Sequence, residues 1–119
     1  MEPLSQIIWE HYNGRPFDTE NYIEISKIVC PQYFLNSNPH TEKVRRYYKR
    51  YKRNGYLDES LTVKMKTYNN EYHIILKNGY IRYLIIWNEI KDYMDKYNLT
   101  YENVPEEMRL VPIKWVDKA

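Results

Sequence analysis

The chain has a single cysteine, Cys30, among its 119 residues. One thiol excludes an intrachain disulfide and suits a reducing compartment. It also leaves no Cys-x-x-Cys pair for zinc or redox chemistry. Histidine is almost as scarce. His11, His40 and His73 lie far apart, no two have metal-ligand spacing, and no structural metal is expected. No apolar run approaches the roughly 18 residues that a membrane span needs, and 29% of the residues are charged, so no membrane association is expected. Met1–Trp9 lacks a basic start followed by an apolar run, so no secretion signal is expected and a cytoplasmic location follows. Asn98-Leu99-Thr100 matches a glycosylation acceptor, a chance match without secretion. No motif supports a Ser–His–Asp arrangement, and paired carboxylates are absent. Repeats, low-complexity stretches and linkers are missing as well.

What the chain does have is tyrosine and unevenly placed positive charge. It carries 14 Tyr and a net charge of only +2. Residues 42–53 nevertheless hold Lys43, Arg45, Arg46, Lys49, Arg50, Lys52 and Arg53 against Glu42, a net of +6 that leaves the rest of the chain at −4. Charged helix positions are usually a solvated face with mixed signs. Seven cations to one anion is too one-sided for that, and the asymmetry points to a localised anionic partner. Val44, Tyr47, Tyr48 and Tyr51 repeat at i, i+3, i+4, i+7, so a helix over Lys43–Arg53 has one apolar face. Thr41 is its expected N-cap and Asn54-Gly55 its stop. The cations then fall on two outward stripes, Lys43, Arg46, Arg50 and Arg53 on one and Arg45, Lys49 and Lys52 on the other. That is a footprint for phosphate backbones, DNA ahead of RNA, with an acidic protein surface as the next candidate. At helical spacing, Tyr47, Tyr48, Tyr51, Tyr83 and Tyr97 are expected in the core.

The remaining pattern predicts an α/β domain, a small mixed sheet flanked by helices. The expected division is an N-terminal helical extension over 1–20, helical at Pro3–Tyr12, and a domain over 21–119. Ile23–Ile28 reads as a half-buried strand and Pro31 to Pro39 as a loop. Leu61–Lys66 and Tyr72–Leu76 read as strands joined at Asn69-Asn70. A helix from Tyr80 to Tyr97 is predicted, with Tyr83, Ile86, Trp87, Ile90, Met94 and Tyr97 inward. Leu99–Met108 is a Pro-containing connection to a last strand, Leu110–Trp115.

The break at Lys77-Asn78-Gly79-Tyr80-Ile81-Arg82 carries the chemistry. A strand, a tight Asn-Gly turn and a helix start leave backbone N–H groups and the positive end of a helix dipole pointing outward. Gly79 lets an anion approach the main chain. Arg82 adds a permanently charged planar donor. Gly79, Tyr80 and Arg82 are therefore the candidate phosphate-binding residues.

In this order the segments from Tyr22 onward resemble the ParB/sulfiredoxin-like superfamily, also called the ParB-like nuclease domain. Gly79-Tyr80-Ile81-Arg82 looks like the family's Gly-x-x-Arg phosphate turn, and Leu110-Val111-Pro112-Ile113 like its closing strand. The match covers about four-fifths of the chain. It departs at Ile81, where ParB proteins carry a second Arg and sulfiredoxin a Cys, so sulfiredoxin chemistry is not implied. Ser60 stands where the family has Pro, and Asn36, Ser37 and Asn38 offer no loop Arg. The resemblance implies a nucleotide- or nucleic-acid-phosphate-binding regulatory module of a phage, plasmid or other bacterial mobile element, with a nucleoside triphosphate and Mg as the possible cofactor. A free-serine kinase resembles the same superfamily, which would make Glu42 a general base near the turn. Helix-start preference alone also explains Glu42. Two alternatives stand beside the binding module: an inhibitor that binds a host protein through its charged surface, and a small nuclease or nucleotide-dependent phosphotransferase.

Overall fold

The computed structural model describes residues 22–116, and the expected N-terminal helix and the 1–20 extension lie outside them. Two adjacent asparagines organise the centre of the fold. Asn69 and Asn70 both take positive φ, 51° and 64°. That is the pattern of a two-residue hairpin turn whose twist matches its strands, and Asn tolerates it better than most residues. The turn folds β3 (Leu61–Tyr68) back on β4 (Glu71–Asn78) as an antiparallel pair. β5 (Leu110–Trp115) joins the other side of β3 in parallel, and β1 (Tyr22–Glu24) closes that edge antiparallel to β5. β2 (Ile28–Val29) pairs in parallel with β4. The five-stranded mixed sheet has the order β1-β5-β3-β4-β2.

The strand expected over Ile23–Ile28 is split. A single 3-10 turn at Ile25–Lys27 separates β1 from β2. Residues three apart in such a turn stack on one side, and here Ile25 and Ile28 both enter the core. The split also shapes the sheet. From Glu24 to Ile28 the chain reaches at most ~14 Å, whereas the edges of a flat five-stranded sheet would lie ~19 Å apart. β1 and β2 occupy those opposite edges, so the sheet must curl toward a half-barrel.

One long helix packs on it, and a second packs on that helix. α1 (Gln32–Leu35) is a short turn in the segment expected to be a plain loop, closed by the Ser37 hydroxyl on the Phe34 carbonyl at 2.6 Å. α2 (Thr41–Asn54) is the basic helix. His40, not Thr41, is its N-cap, because Thr41 already has helical geometry and the His40 carbonyl accepts from Val44 N–H at 3.0 Å. Gly55 ends it at φ 78°, donating to the Tyr51 carbonyl at 2.8 Å. α3 (Tyr80–Tyr97) buries Ile86 and Ile90 against the sheet cluster of Leu61, Val63, Leu76 and Val111. Ile85, also buried, turns toward α2 beside Tyr51. Tyr83, Trp87 and Met94 pack at the core margin as expected. Tyr97 does not. It is the last residue of α3, 52% exposed, and leans on Tyr93 with centroids 4.6 Å apart, because the core contacts end at Tyr93 and Met94. α4 (Glu106–Arg109) precedes β5, and Arg109 pairs with Glu24 of β1. No helix among the described residues is long and apolar enough to cross a membrane.

Candidate anion cleft

The site forms where the strands hand over to α3. In the register, Thr62 near the start of β3 has Asn78, the last residue of β4, on one side and Lys114 of β5 on the other. Gly79 follows at φ 94° as the N-cap of α3. Its N–H donates to Asn78 Oδ1 at 2.8 Å. Having no side chain, Gly79 caps none of the first-turn N–H groups, so they keep their capacity for an external acceptor. A Cβ on Gly79 would sit 3.3 Å from Leu61 Cα and 3.4 Å from an Arg82 nitrogen. Glycine is thus required twice, for its backbone angle and for the close packing against β3.

This turn opens into a cleft of about 850 Å³. Gly79, Tyr80, Ile81 and Arg82 form its floor, Lys43 and Tyr47 of α2 one wall, and Tyr33 and Phe34 of α1 another, with Lys114 and Glu59 at the rim. Phe34 stacks on Tyr80 at 5.2 Å and touches Tyr33 at 4.5 Å, giving a continuous aromatic face. Burial and the neighbouring Cys30 raise the Tyr80 phenol above its ordinary pKa, so it stays a neutral donor. The Tyr47 ring carries two cations, Arg82 at 5.4 Å and Lys43 at 5.8 Å.

Arg82 is largely covered, with only 16% of its side chain exposed, and it donates to Glu59 Oε2 at 2.6 Å. The other oxygen of Glu59 lies 3.4 Å from Arg50, which also donates to Asp58 Oδ2 at 2.7 Å. Glu59 is the one carboxylate among the residues lining the cleft. Glu42, the expected candidate base, lies elsewhere, in a groove lined with Arg45, Arg46, Lys49 and Arg53 on the outer side of α2. A helix position two residues into α2 points away from the turn that Lys43 and Tyr47 face.

The basic helix divides into two sets. Lys43, Arg45, Arg46, Lys49 and Arg53 are exposed and form no ion pair among the described residues. Arg50 and Lys52, expected to be free for phosphates, are not. Asp58 holds Arg50, and the hydrogen bond raises its pKa. Glu89 of α3 accepts from Lys52 at 3.0 Å and from the Tyr48 hydroxyl at 2.8 Å. Those hydrogen bonds raise both the Lys52 and the Tyr48 pKa. The carboxylates that neutralise them come from the loop after Gly55 and from α3, partners that a wheel of α2 alone does not include. Lys43 joins the cleft rather than an outward stripe.

Sequence reasoning missed Glu59, Lys114 and the Tyr33-Phe34 wall. No spacing rule brings them to Gly79; the strand register and the α1 turn do. Among the described residues no three of His, Cys, Asp or Glu gather in a way that could hold a metal ion. Comparison with protein-family models, with curated proteins and with solved structures finds no match in any of the three.

Proposed function

We propose that the domain binds a nucleotide in the cleft and acts as a regulatory module of a phage, plasmid or other bacterial mobile element, with α2 as a second, nucleic-acid-facing surface. The observation that carries this reading is the juxtaposition within one cleft of a phosphate-type floor and an aromatic wall. Arg82, Lys43, Lys114 and the start of an 18-residue helix offer charge and backbone donors. Tyr33, Phe34 and Tyr80 offer faces on which a base stacks. The volume lies within the roughly 300–1,000 Å³ of small-molecule sites. The resemblance of Gly79-Tyr80-Ile81-Arg82 to the ParB-type phosphate turn supports the same reading. Four cations on the outer side of α2, Arg45, Arg46, Lys49 and Arg53, form no ion pair among the described residues and favour duplex DNA at that surface.

A nucleoside triphosphate with Mg²⁺ fits the donor set. The phosphates would supply most of the metal's oxygen ligands, as is usual for Mg²⁺, and Glu59 is the one carboxylate among the described residues that line the cleft. A thermal-shift panel of nucleotides, with and without Mg²⁺, tests the reading. Stabilisation by one or more nucleotides and by none of the free nucleosides is expected, and turnover of the bound nucleotide would move the protein to the phosphotransferase class. A second reading has one observation in its favour: Glu59 already occupies Arg82, and Ile81 replaces a second arginine. If no nucleotide binds, the charged surface serves a host protein instead.

A further inference from the structure

We infer that Glu59 makes the cleft and the basic helix antagonistic, so that a nucleotide in one weakens a nucleic acid on the other. The inference rests on the nucleotide reading above. One carboxylate is shared by two arginines: Oε2 on Arg82 at 2.6 Å and Oε1 toward Arg50 at 3.4 Å. Arg82 belongs to the cleft floor. Arg50 belongs to the helix and lines the outer groove with Arg46 and Arg53. Glu59 is half exposed on the segment between Gly55 and β3, so little packing holds it to either partner.

A phosphate that takes Arg82 replaces Glu59 there and repels it. Arg50 is the other cation that pairs with Glu59 among the described residues, and Glu59 then joins Asp58 in neutralising it. Arg50, which Asp58 alone neutralises only in part, is then less available to a duplex phosphate. In the reverse direction, a duplex phosphate on Arg50 leaves Glu59 to Arg82 alone and closes the cleft to a nucleotide. The two effects are one coupling free energy and must be equal in size. Asp58 provides an internal contrast, since it bonds Arg50 and Asn54 but forms no ion pair with Arg82.

The test uses the full chain at fixed ionic strength, an equimolar mixture of the four ribonucleoside triphosphates with Mg²⁺, and a fluorescent DNA duplex read by anisotropy. In the wild type, saturating nucleotide should weaken duplex binding by about fivefold or more, the lower end of ordinary coupling. Glu59→Gln should tighten both ligands and bring the coupling below about twofold, while Asp58→Asn should tighten the duplex and keep the coupling. Binding of nucleotide by Glu59→Gln but not by the wild type overturns the inference, because the native protein then has no bound nucleotide to couple to the duplex. Coupling that Glu59→Gln leaves intact overturns it without touching the nucleotide reading. If only one ligand binds in both proteins, the inference falls. If neither binds in either, the nucleotide reading falls with it.

Discussion

The guanidinium of Arg82 lies over the ring of Tyr47, 5.4 Å from its centroid, and so ties the first turn of α3 to the basic helix α2. With the ion pair to Glu59 at 2.6 Å, that contact holds Arg82 in the lining of the cleft. It sets the aromatic ring of one helix under the charge of the other.

Arg82→Ala should weaken nucleotide binding by about 1.5–3 kcal/mol, the scale of a hydrogen bond to a charged group. Arg82→Lys should recover part of the loss, since it restores charge without the planar fork. Titration calorimetry on the three proteins checks this. An alanine variant that binds as tightly as the wild type would remove Arg82 from the site.

Gly79→Ala should destabilise the fold by about 1–3 kcal/mol, because a non-glycine residue is strained at positive φ. Each kcal/mol corresponds to roughly 4–8 °C in Tm for a small domain. Gly55→Ala is the comparison. Its φ is also positive, 78°, but nothing lies within 4 Å of the added Cβ, whereas the Cβ at Gly79 meets Leu61 backbone. Thermal melting by circular dichroism should show the larger loss at Gly79. Equal losses would contradict the close approach to β3.

Duplex affinity should fall with salt at a log–log slope of about −4, as four phosphate contacts each contribute roughly −0.9. Replacing Arg46 and Arg53 together with Ala should reduce the slope by about two units. Arg50→Ala should change it by less than about one unit, since Asp58 and Glu59 already hold that side chain. Anisotropy across a salt series separates these. A slope insensitive to Arg46 and Arg53 would take the duplex off α2.

Burial raises the Cys30 thiol above its usual pKa. A higher pKa means less thiolate near neutrality, so the folded protein should alkylate more slowly than the same chain in denaturant at about pH 8. The difference should shrink as pH rises. Mass-spectrometric labelling with iodoacetamide measures it, and equal rates at every pH would contradict the burial of this sulfur.

Much of this fold was legible in local signals. Asn69-Asn70 marked the hairpin, Asn54-Gly55 the end of α2, and Asn78-Gly79 the start of α3, because each needs a backbone angle that few residues accept. The strand Leu110–Trp115 and the helix Tyr80–Tyr97 have the expected ends. The failures were non-local. Ile25 and Ile28 look like one strand by composition, and only the demand that both enter the core of a curled sheet breaks it. Arg50 and Lys52 look free on a helical wheel, yet Asp58 and Glu89 reach them from other elements. Glu59 gave no signal, since it matters by lying within ion-pair reach of two arginines that are distant from it in sequence, Arg82 at 2.6 Å and Arg50 at 3.4 Å.

The nucleotide cleft is tested most directly by amide chemical-shift mapping of the isotopically labelled protein titrated with nucleoside triphosphates. The largest shifts should fall on Gly79, Tyr80, Ile81 and Arg82, with a second group at Tyr33, Phe34 and Lys43 and a third at Lys114. An unchanged spectrum at saturating nucleotide, or shifts confined to the outer groove of Arg45, Arg46 and Lys49, would contradict a nucleotide site at the head of α3.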